Sequence, residues 1–467
     1  IRVARANPDG SLSGERRAPA LPQTPAPGLV EFDADALATS ALALATQSIE
    51  ADGPADGVAI TNQRASTVVW NPATGRAVAP GQGWQDLRTV GDCLVLAADG
   101  LRLAPNHSAT KVANILGQVD PDRSTGLLSG TIDTWLAWSL SGGSTFVTDA
   151  SNASLTGLAT NAADAWNAAV LDALNIPPES LATIGDSLGA LGTLDLLPGA
   201  PPLLAVLGDQ QASMIGQGAV VPDAAKITFG TGGMLDVCTP GDRPAVPRTT
   251  AGCFPIAGWS AGGQRTWALE AIMLSAGTNV EWLRDDLGII DDTAQSDELA
   301  ASVDDADGVV FVPAPLGLGT PHWDYGARSG LFGLTRGSTK AHVARAVLEG
   351  VAQRGAELLA AAEADSGASI DALRVDGGMS QNRTFIQALA NAIQRPVEVS
   401  PVLEATARGG GLAAGVALGW FESVPALADL WQPAEVIEPN GAFSADRWAE
   451  AVRRVGGWHP ELSAINF

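Results

Sequence analysis

Cysteine and histidine are both scarce in this sequence, and each shortage removes a class of chemistry. Of 467 residues, three are cysteines, at positions 93, 238 and 253, and four are histidines. The cysteines are odd in number and lack metal-ligand spacing, so a disulfide framework is excluded and a reducing cytoplasm is predicted. The histidines are scattered along the chain, which argues against a metal site or a catalytic triad built on them.

Positive charge is also in short supply. The chain carries 27 Lys+Arg against 51 Asp+Glu, a formal net charge of −24. A surface this acidic repels nucleic-acid phosphates and anionic lipid, which argues against nucleic acid or membrane as partners. An anionic substrate would need a local cluster of positive charge to overcome the negative potential of the whole protein. Long apolar runs are missing too, and none reaches the about 18 residues of a membrane-spanning helix.

The composition that remains is typical of a globular enzyme, with 46% hydrophobic and 17% charged residues. The chain is longer than one hydrophobic core usually organises, so two domains are expected. Val221-Pro222-Asp223 punctuates the chain near its middle, and we place the boundary there, giving domains 1–222 and 223–467. The chain opens inside an extended element, so we expect natural residues upstream of Ile1.

Short apolar strands alternate with helical stretches along both halves of the chain. This alternation is typical of α/β layers and predicts an α/β fold, with Asp33 or Asp35 as the cap of the first helix. The predicted strands are 1–6, 57–61, 67–70, 203–207, 226–229, 234–237, 309–312 and 373–376. The predicted helices are 36–49, 131–140, 161–174, 210–217, 340–363 and 381–393.

A carboxylate stands where the strand 203–207 passes into a helix, in Gly208-Asp209-Gln210-Gln211. Ligands of α/β sheets bind beyond the carboxyl ends of strands, so Asp209 is placed as a catalytic base would be. Asp is also a common helix cap, and from these residues alone the cap is the favoured reading.

Two glycine-rich segments are candidates for binding phosphate. Gly230-Thr231-Gly232-Gly233 predicts a turn whose backbone N–H groups and Thr hydroxyl could hold phosphate oxygens, or an ordinary tight turn. Residues 375–382 run from a strand through two glycines to a helix N-terminus, which favours negative charge. A plain connection with Ser380 as helix cap explains the same residues equally well.

Polar side chains for an acceptor substrate are suggested by two further segments. Arg64 ends the run Thr61-Asn62-Gln63-Arg64 directly after a buried strand, where its hydrogen-bond donors suit a polyhydroxyl compound. A surface Arg with no role is the alternative. Trp84 could stack on the apolar edge of a sugar, although a Trp more often serves packing.

Each of these segments is weak evidence alone, but their order along the chain is specific. The sequence resembles the FGGY family of carbohydrate kinases, most closely its glycerol kinase branch, over nearly its whole length. The segments that carry the resemblance are 60–64, 83–85, 105–116, 130–136, 147–154, 208–212, 230–232, 317–323, 330–337, 342–349 and 375–382.

The resemblance implies two actin/hexokinase-like domains with a cleft between them. It also implies ATP-dependent phosphorylation of a polyol or sugar with Mg²⁺, in a homo-oligomer, a dimer or tetramer. Asp209 matches the family's general base. Substrate contacts are matched by Arg64, Trp84 and Gln210, and nucleotide contacts by Thr231, Gly232, Gly277, Gly378 and Asn382, with Glu281 where glycerol kinases commonly carry Gln.

Three residues depart from the glycerol branch. Ala65, Ala150 and Met234 stand where it carries Glu, Tyr and Phe, so we expect a larger acceptor pocket in which glycerol is a poor substrate. A pentulose kinase is the alternative within the family, although its Met-His-Gly substrate motif is missing at 61–64.

The family's first phosphate loop, an Asp-x-Gly-Thr run, is expected just before Ile1, with Arg2 matching the Arg that follows it. A natural protein without that loop would be a catalytically silent sugar- or nucleotide-binding homologue, which stays open as a second reading.

Overall fold

The computed structural model describes residues 1–239, 241–244 and 250–465. Helices and strands alternate throughout, which confirms the predicted α/β class. The helices are α1 (Ala34–Asp52), α2 (Val90–Ala98), α3 (Ser108–Val119), α4 (Ile132–Leu140), α5 (Ala150–Ala153), α6 (Ala168–Leu174), α7 (Asp209–Gly216), α8 (Thr278–Asp285), α9 (Gln295–Ala301), α10 (Lys340–Ser366), α11 (Arg383–Ile393), α12 (Ala405–Ala417), α13 (Ala445–Val455) and α14 (Pro460–Ser463).

Three short 3-10 helices, Pro178–Ser180, Gly378–Gln381 and Pro425–Leu430, supplement these. The strands are β1 (Arg2–Ala6), β2 (Leu12–Arg17), β3 (Glu31–Phe32), β4 (Val58–Asn62), β5 (Thr67–Asn71), β6 (Arg76–Ala77), β7 (Gly81–Gln82), β8 (Leu128–Thr131), β9 (Val147–Asp149), β10 (Thr183–Gly185), β11 (Leu188–Thr193), β12 (Pro202–Gly208), β13 (Ala225–Phe229), β14 (Gly233–Thr239), β15 (Phe254–Ala261), β16 (Gln264–Met273), β17 (Val310–Val312), β18 (Gly330–Phe332), β19 (Leu373–Asp376), β20 (Val397–Val399) and β21 (Glu435–Ile437).

Ten strands are hydrogen-bonded in the order β21-β20-β19-β13-β14-β16-β15-β11-β12-β4. The strands of the first half, β11, β12 and β4, meet those of the second half through a single aligned pair, Leu188 and Ala261. Helices pack on this sheet because its strands are apolar: Phe229 of β13 lies edge-on to Phe385 of α11, with 4.8 Å between ring centroids. The sheet thereby brings elements from both halves to one central region.

Two predicted helices begin later than expected. The helix predicted over 161–174 starts at Ala168, because Ala163 has a left-handed backbone (φ 51°) and Asn167 caps the helix by accepting from the Ala169 N–H. The helix predicted over 381–393 starts at Arg383, after the 3-10 turn. The other predicted helices, and the cap at Asp33, are confirmed within a few residues.

Strands β15 and β16 and helix α13 were missed by the sequence analysis. Among the described helices, none combines the length and the apolar character that crossing a membrane requires. All three cysteines are buried, and none of them forms a disulfide.

Candidate active site

Asp209 lies where two parallel strands end side by side. β12 pairs with β4 in parallel register, with Gly208 opposite Asn62, so the residues that follow both strands share one sheet edge. Gly208 holds the cap position of α7 and Asp209 is its first helical residue, so the cap reading of Asp209 was wrong. Its side chain is 33% exposed, and Oδ1 accepts from the Gln210 N–H at 2.9 Å. The carboxylate is therefore both held and accessible.

The Arg64 side chain lies against the backbone of Gly208, the residue that precedes Asp209. A Cβ at Gly208 would come within 2.7 Å of Arg64 Cγ and Cδ, so only glycine leaves room for the Arg side chain there. Arg64 Nε is 3.4 Å from Asp209 Oδ1, and its Nη2 is 2.7 Å from Glu270 Oε2. Ala65 has φ 61°, and this tight turn directs Arg64 back over the strand ends. Arg64 is thus a bridge between the two halves of the chain, not a surface residue.

A row of buried charges lies beneath Arg64 on the sheet. In the strand register, Asp236 of β14 stands opposite Lys226 of β13 on one side and Glu270 of β16 on the other. Lys226 Nζ is 2.6 Å from Asp236 Oδ2, and both side chains are fully buried. Burial raises the pKa of Glu270 to about 7, against the opposing effect of Arg64.

Gln210 connects this row to helix α7. Lys226 Nζ donates to Gln210 Oε1 at 2.7 Å and to Thr228 Oγ1 at 3.2 Å. Thr228 in turn donates to Asp376 Oδ1 at 2.6 Å, and burial raises the pKa of that carboxyl. The charged row therefore extends from the expected base to the strand β19 that precedes the second glycine segment.

Trp84 is brought to the same loop as Arg64. Its backbone N–H donates to Ser66 Oγ at 3.1 Å, and Gln63 Nε2 donates to the same hydroxyl at 3.0 Å. The indole is half-buried, so part of the ring remains accessible. The structure thus places all four predicted acceptor-site residues (Arg64, Trp84, Asp209 and Gln210) on adjoining segments.

Helix α12 reaches the base from the other side. Thr406 Oγ1 donates to the Asp209 carbonyl oxygen at 3.2 Å. Glu404, the residue before the helix, pairs with Arg2, whose Nε is also 2.9 Å from Glu15 Oε1. The N-terminal hairpin is thereby tied to the helix that touches the Asp209 backbone.

The first glycine segment packs against the start of α8. The Gly277 N–H donates to the Gly230 carbonyl at 2.9 Å, and the Ala276 N–H donates to the Thr231 carbonyl at 2.8 Å. A Cβ at Gly277 would lie 2.6 Å from the Gly230 oxygen, and one at Gly232 would lie 2.7 Å from a backbone oxygen of β16. Both positions need glycine for close packing of the backbone, and Thr231 lies at the tip of the turn.

The second glycine segment joins the first. Gly377 has φ 91°, and its Cβ would meet the Phe229 carbonyl oxygen at 2.4 Å. The Met379 side chain lies 3.9 Å from the Cβ position of Gly277. At Gly378, by contrast, an added Cβ would meet nothing within 4 Å. Three of the predicted nucleotide-binding segments therefore converge, with Gly378 facing open space.

Both polar atoms of the Asn382 side chain are used in hydrogen bonds within the protein. Its Oδ1 accepts from the Phe385 N–H at 2.8 Å, and its Nδ2 donates to Ser296 Oγ at 3.0 Å, so Asn382 and not Ser380 caps α11. Glu281 lies in the first turn of α8 with its side chain exposed.

The sequence analysis missed the buried charged residues Lys226, Asp236, Glu270 and Asp376 and the half-buried Thr228 between them. A signal was present: a charged residue inside an otherwise apolar strand, such as Asp236 between Leu235 and Val237, is unusual in a core. What the sequence does not supply is the cross-strand register that makes them neighbours.

The three departures from the glycerol branch occupy different surroundings. Ala150 is fully buried in a small cluster with Ala257 and Trp267. Ala65 is buried at the left-handed turn after Arg64, while Met234 of β14 stands beside Thr228 in the strand register and is half-buried.

A magnesium ion held by the protein alone has no ready site here. In the described part of the chain no three His, Cys, Asp or Glu side chains form a group that could hold a metal ion. Mg²⁺ in phosphotransfer sites is commonly held by one or two carboxylates together with substrate phosphates. With no such group in the described residues, Mg²⁺ at this site would depend mainly on the substrate phosphates.

Comparison with known proteins identifies relatives along the whole chain. The model of the N-terminal domain of the FGGY family of carbohydrate kinases matches residues 1–216, and that of the C-terminal domain matches residues 225–418. A glycerol kinase of Aromatoleum aromaticum is 39% identical over 475 aligned positions, covering 96% of this chain and 95% of that protein. A glycerol kinase of Bordetella parapertussis is 40% identical, covering 93% and 91%.

Solved structures share the same architecture. Plasmodium falciparum glycerol kinase with ADP superposes with a TM-score of 0.87 at 26% identity, covering 100% of this chain and 96% of that one. A xylulose kinase of Rhodospirillum rubrum has a TM-score of 0.78 at 21% identity, covering 97% and 94%, and shows the fold alone. The two-domain architecture predicted from the sequence is confirmed.

Proposed function

This chain belongs to the FGGY family of carbohydrate kinases, and from that premise we propose that Asp209 is the general base for ATP-dependent phosphorylation of a polyol or sugar hydroxyl. The family makes the chain an ATP-dependent carbohydrate or polyol kinase. The observation that carries the role of Asp209 is its position: an accessible carboxylate at the shared end of β4 and β12, held through Oδ1.

The chemistry follows from that position. The acceptor hydroxyl oxygen forms a bond to the γ-phosphorus of ATP, the bond from that phosphorus to the β–γ bridging oxygen breaks, and ADP leaves. Both contacts of the Asp209 carboxylate are made by Oδ1, so Oδ2 is the oxygen we assign to receive the hydroxyl proton. Arg64 keeps the carboxylate in place through its 3.4 Å contact with Oδ1.

The nucleotide is assigned to the convergent glycine segments. We propose that Thr231, Gly232, Gly277 and Gly378 line its site, because these segments converge and Gly378 faces open space that phosphate and sugar can occupy. Asn382 and Glu281 flank this region as the cap of α11 and in the first turn of α8. Mg²⁺, held mainly by the phosphates, would neutralise charge on the transferring group.

For the acceptor we propose a polyol or sugar larger than glycerol. The support is the sequence: Ala65, Ala150 and Met234 stand where the glycerol branch carries the larger Glu, Tyr and Phe. A panel of glycerol, erythritol, ribitol, D-xylulose and gluconate in a coupled ADP-release assay tests this. We expect higher kcat/KM for one of the larger compounds, and a glycerol KM within the usual range of about 1 μM to 1 mM would contradict the proposal.

The role of the base is tested by Asp209→Asn, which keeps the shape and removes the proton acceptor. Turnover should fall by about 10²-fold or more while acceptor binding is largely kept. Glu363→Gln is the control, because Glu363 pairs with Arg395 away from these segments. Unchanged turnover in Asp209→Asn would rule out Asp209 as the base.

We propose further that the protein is a cytoplasmic homo-oligomer with neither nucleic acid nor membrane as partner. Three buried cysteines without a disulfide fit a reducing compartment, and a net charge of −24 opposes binding to phosphate-rich surfaces. Light scattering coupled to gel filtration gives the oligomeric state, and a monomer would contradict the proposal.

A further inference from the structure

Lys226 is surrounded by three side-chain oxygens, two that accept its hydrogen bonds and one from its ion-pair partner. Gln210 Oε1 lies at 2.7 Å, Thr228 Oγ1 at 3.2 Å and Asp236 Oδ2 at 2.6 Å from Nζ. Its side chain is fully buried. The ammonium group is therefore fixed between strands β13 and β14 and helix α7, with Gln210 as its contact in the first half of the chain.

This contact decides the orientation of the Gln210 amide. An ammonium group only donates hydrogen bonds, so the amide atom that faces Lys226 must be the oxygen. The Gln210 Nε2 group then points away from Lys226, and within the described residues it donates to no other side chain or carbonyl. Gln210 directly follows Asp209 in the first turn of α7, so both residues lie at the end of that helix nearest the sheet edge.

We propose that Asp236 is a positioning residue of the acceptor site: it holds Lys226, and Lys226 locks the Gln210 amide with its NH₂ group toward the acceptor. Asp236 touches no reacting atom, and it is fully buried opposite Lys226 in the strand register. In the described residues, its two oxygens accept no well-aligned hydrogen bond, so its ion pair with Lys226 is what holds it.

The consequence is a restriction on the acceptor, and it rests on the proposed kinase function. An acceptor oxygen that meets Gln210 must accept a hydrogen bond, while the reacting hydroxyl gives its proton to Asp209. A hydroxyl next to the phosphorylated one meets that requirement. Without Asp236, Lys226 would be a buried cation that has lost its direct ion-pair partner and would no longer fix which amide atom faces outward.

The test removes both charges together, so that neither is left unpaired. In Lys226→Met with Asp236→Leu, side chains of similar size replace the pair, which commonly preserves folding. In calorimetric titrations, the Kd for erythritol and D-xylulose should rise by about tenfold, which corresponds to the loss of one hydrogen bond. The Kd for ATP should stay within about twofold of the wild-type value. Glu363→Gln, which breaks an ion pair with Arg395 outside the site, should leave acceptor binding unchanged.

Two further measurements separate positioning from a purely structural role. If Asp236 acts through Gln210, adding the charge-free pair to Gln210→Ala should weaken acceptor binding no further, whereas additive losses would overturn the proposal. A crystal structure of the charge-free variant should show the Gln210 side chain displaced. An unmoved Gln210 in that structure would overturn the proposal about Asp236, whatever the activity of the wild-type protein. A wild-type protein that phosphorylated no compound of the panel would instead count against the proposed kinase function.

Discussion

Glu270 shows how one residue combines opposing effects. Its carboxyl is fully enclosed, faces Asp236 across the strands and lies 2.7 Å from the Arg64 guanidinium. Burial favours the neutral form more than Arg64 favours the charged form, so the pKa of Glu270 rises from 4.5 to about 7. The folded protein therefore binds this proton more tightly than the unfolded chain does.

Replacing Glu270 by Gln tests that balance. For a carboxyl whose pKa is raised on folding, stability is greatest at low pH and is lost as the pH rises from about 4.5 to about 7. Glu270→Gln stays neutral throughout, so its Tm should rise relative to the wild type between pH 5 and pH 8. Burial also raises the pKa of Asp133 to about 6. Asp133 therefore contributes the same pH dependence of stability to the wild type and to the variant. A Tm difference that stays constant across this range would contradict the assignment.

At the scale of the elements, local sequence predicted most of what positions Asp209. The apolar run 203–207, followed by Gly208, specifies a buried strand and a turn into α7, and the structure confirms both. β15 and β16 were missed because their runs of Ala, Gly and polar residues lack the alternation that marks a strand. The partnership of Lys226, Asp236 and Glu270 depends on cross-strand register, which one sequence does not reveal.

Two glycines inside helices predict opposite effects on stability. Gly117 lies exposed in α3, and an added Cβ would meet nothing within 4 Å, so Gly117→Ala should stabilise the protein by about 0.5–1 kcal/mol. In α10, a Cβ at Gly350 would lie 2.1 Å from the Phe311 carbonyl oxygen, so Gly350→Ala must push that helix off strand β17. Thermal unfolding of both variants measures the difference, and equal shifts in Tm would contradict this account of the packing.

Across the whole molecule, negative charge dominates, and the buried cations near the site do not offset it. Arg64 is shared between Asp209 and Glu270, and Lys226 is paired with Asp236. ATP therefore approaches a protein of net charge −24 in which Arg64 and Lys226 already have carboxylate partners. Backbone N–H groups of the glycine segments and Mg²⁺ are left to hold the phosphates.

This charge balance predicts an unusual response to salt. Raising KCl from about 10 mM to about 100 mM shortens the Debye length from about 30 Å to about 10 Å, which screens the long-range repulsion between the protein and ATP. The KM for ATP should therefore fall over this range, whereas the KM for an uncharged polyol should stay constant. Sucrose at equal osmolality is the control, because it changes water activity without screening charge. A KM for ATP that rises with salt would show that unpaired cations near the phosphates, and not the overall negative field, govern nucleotide binding.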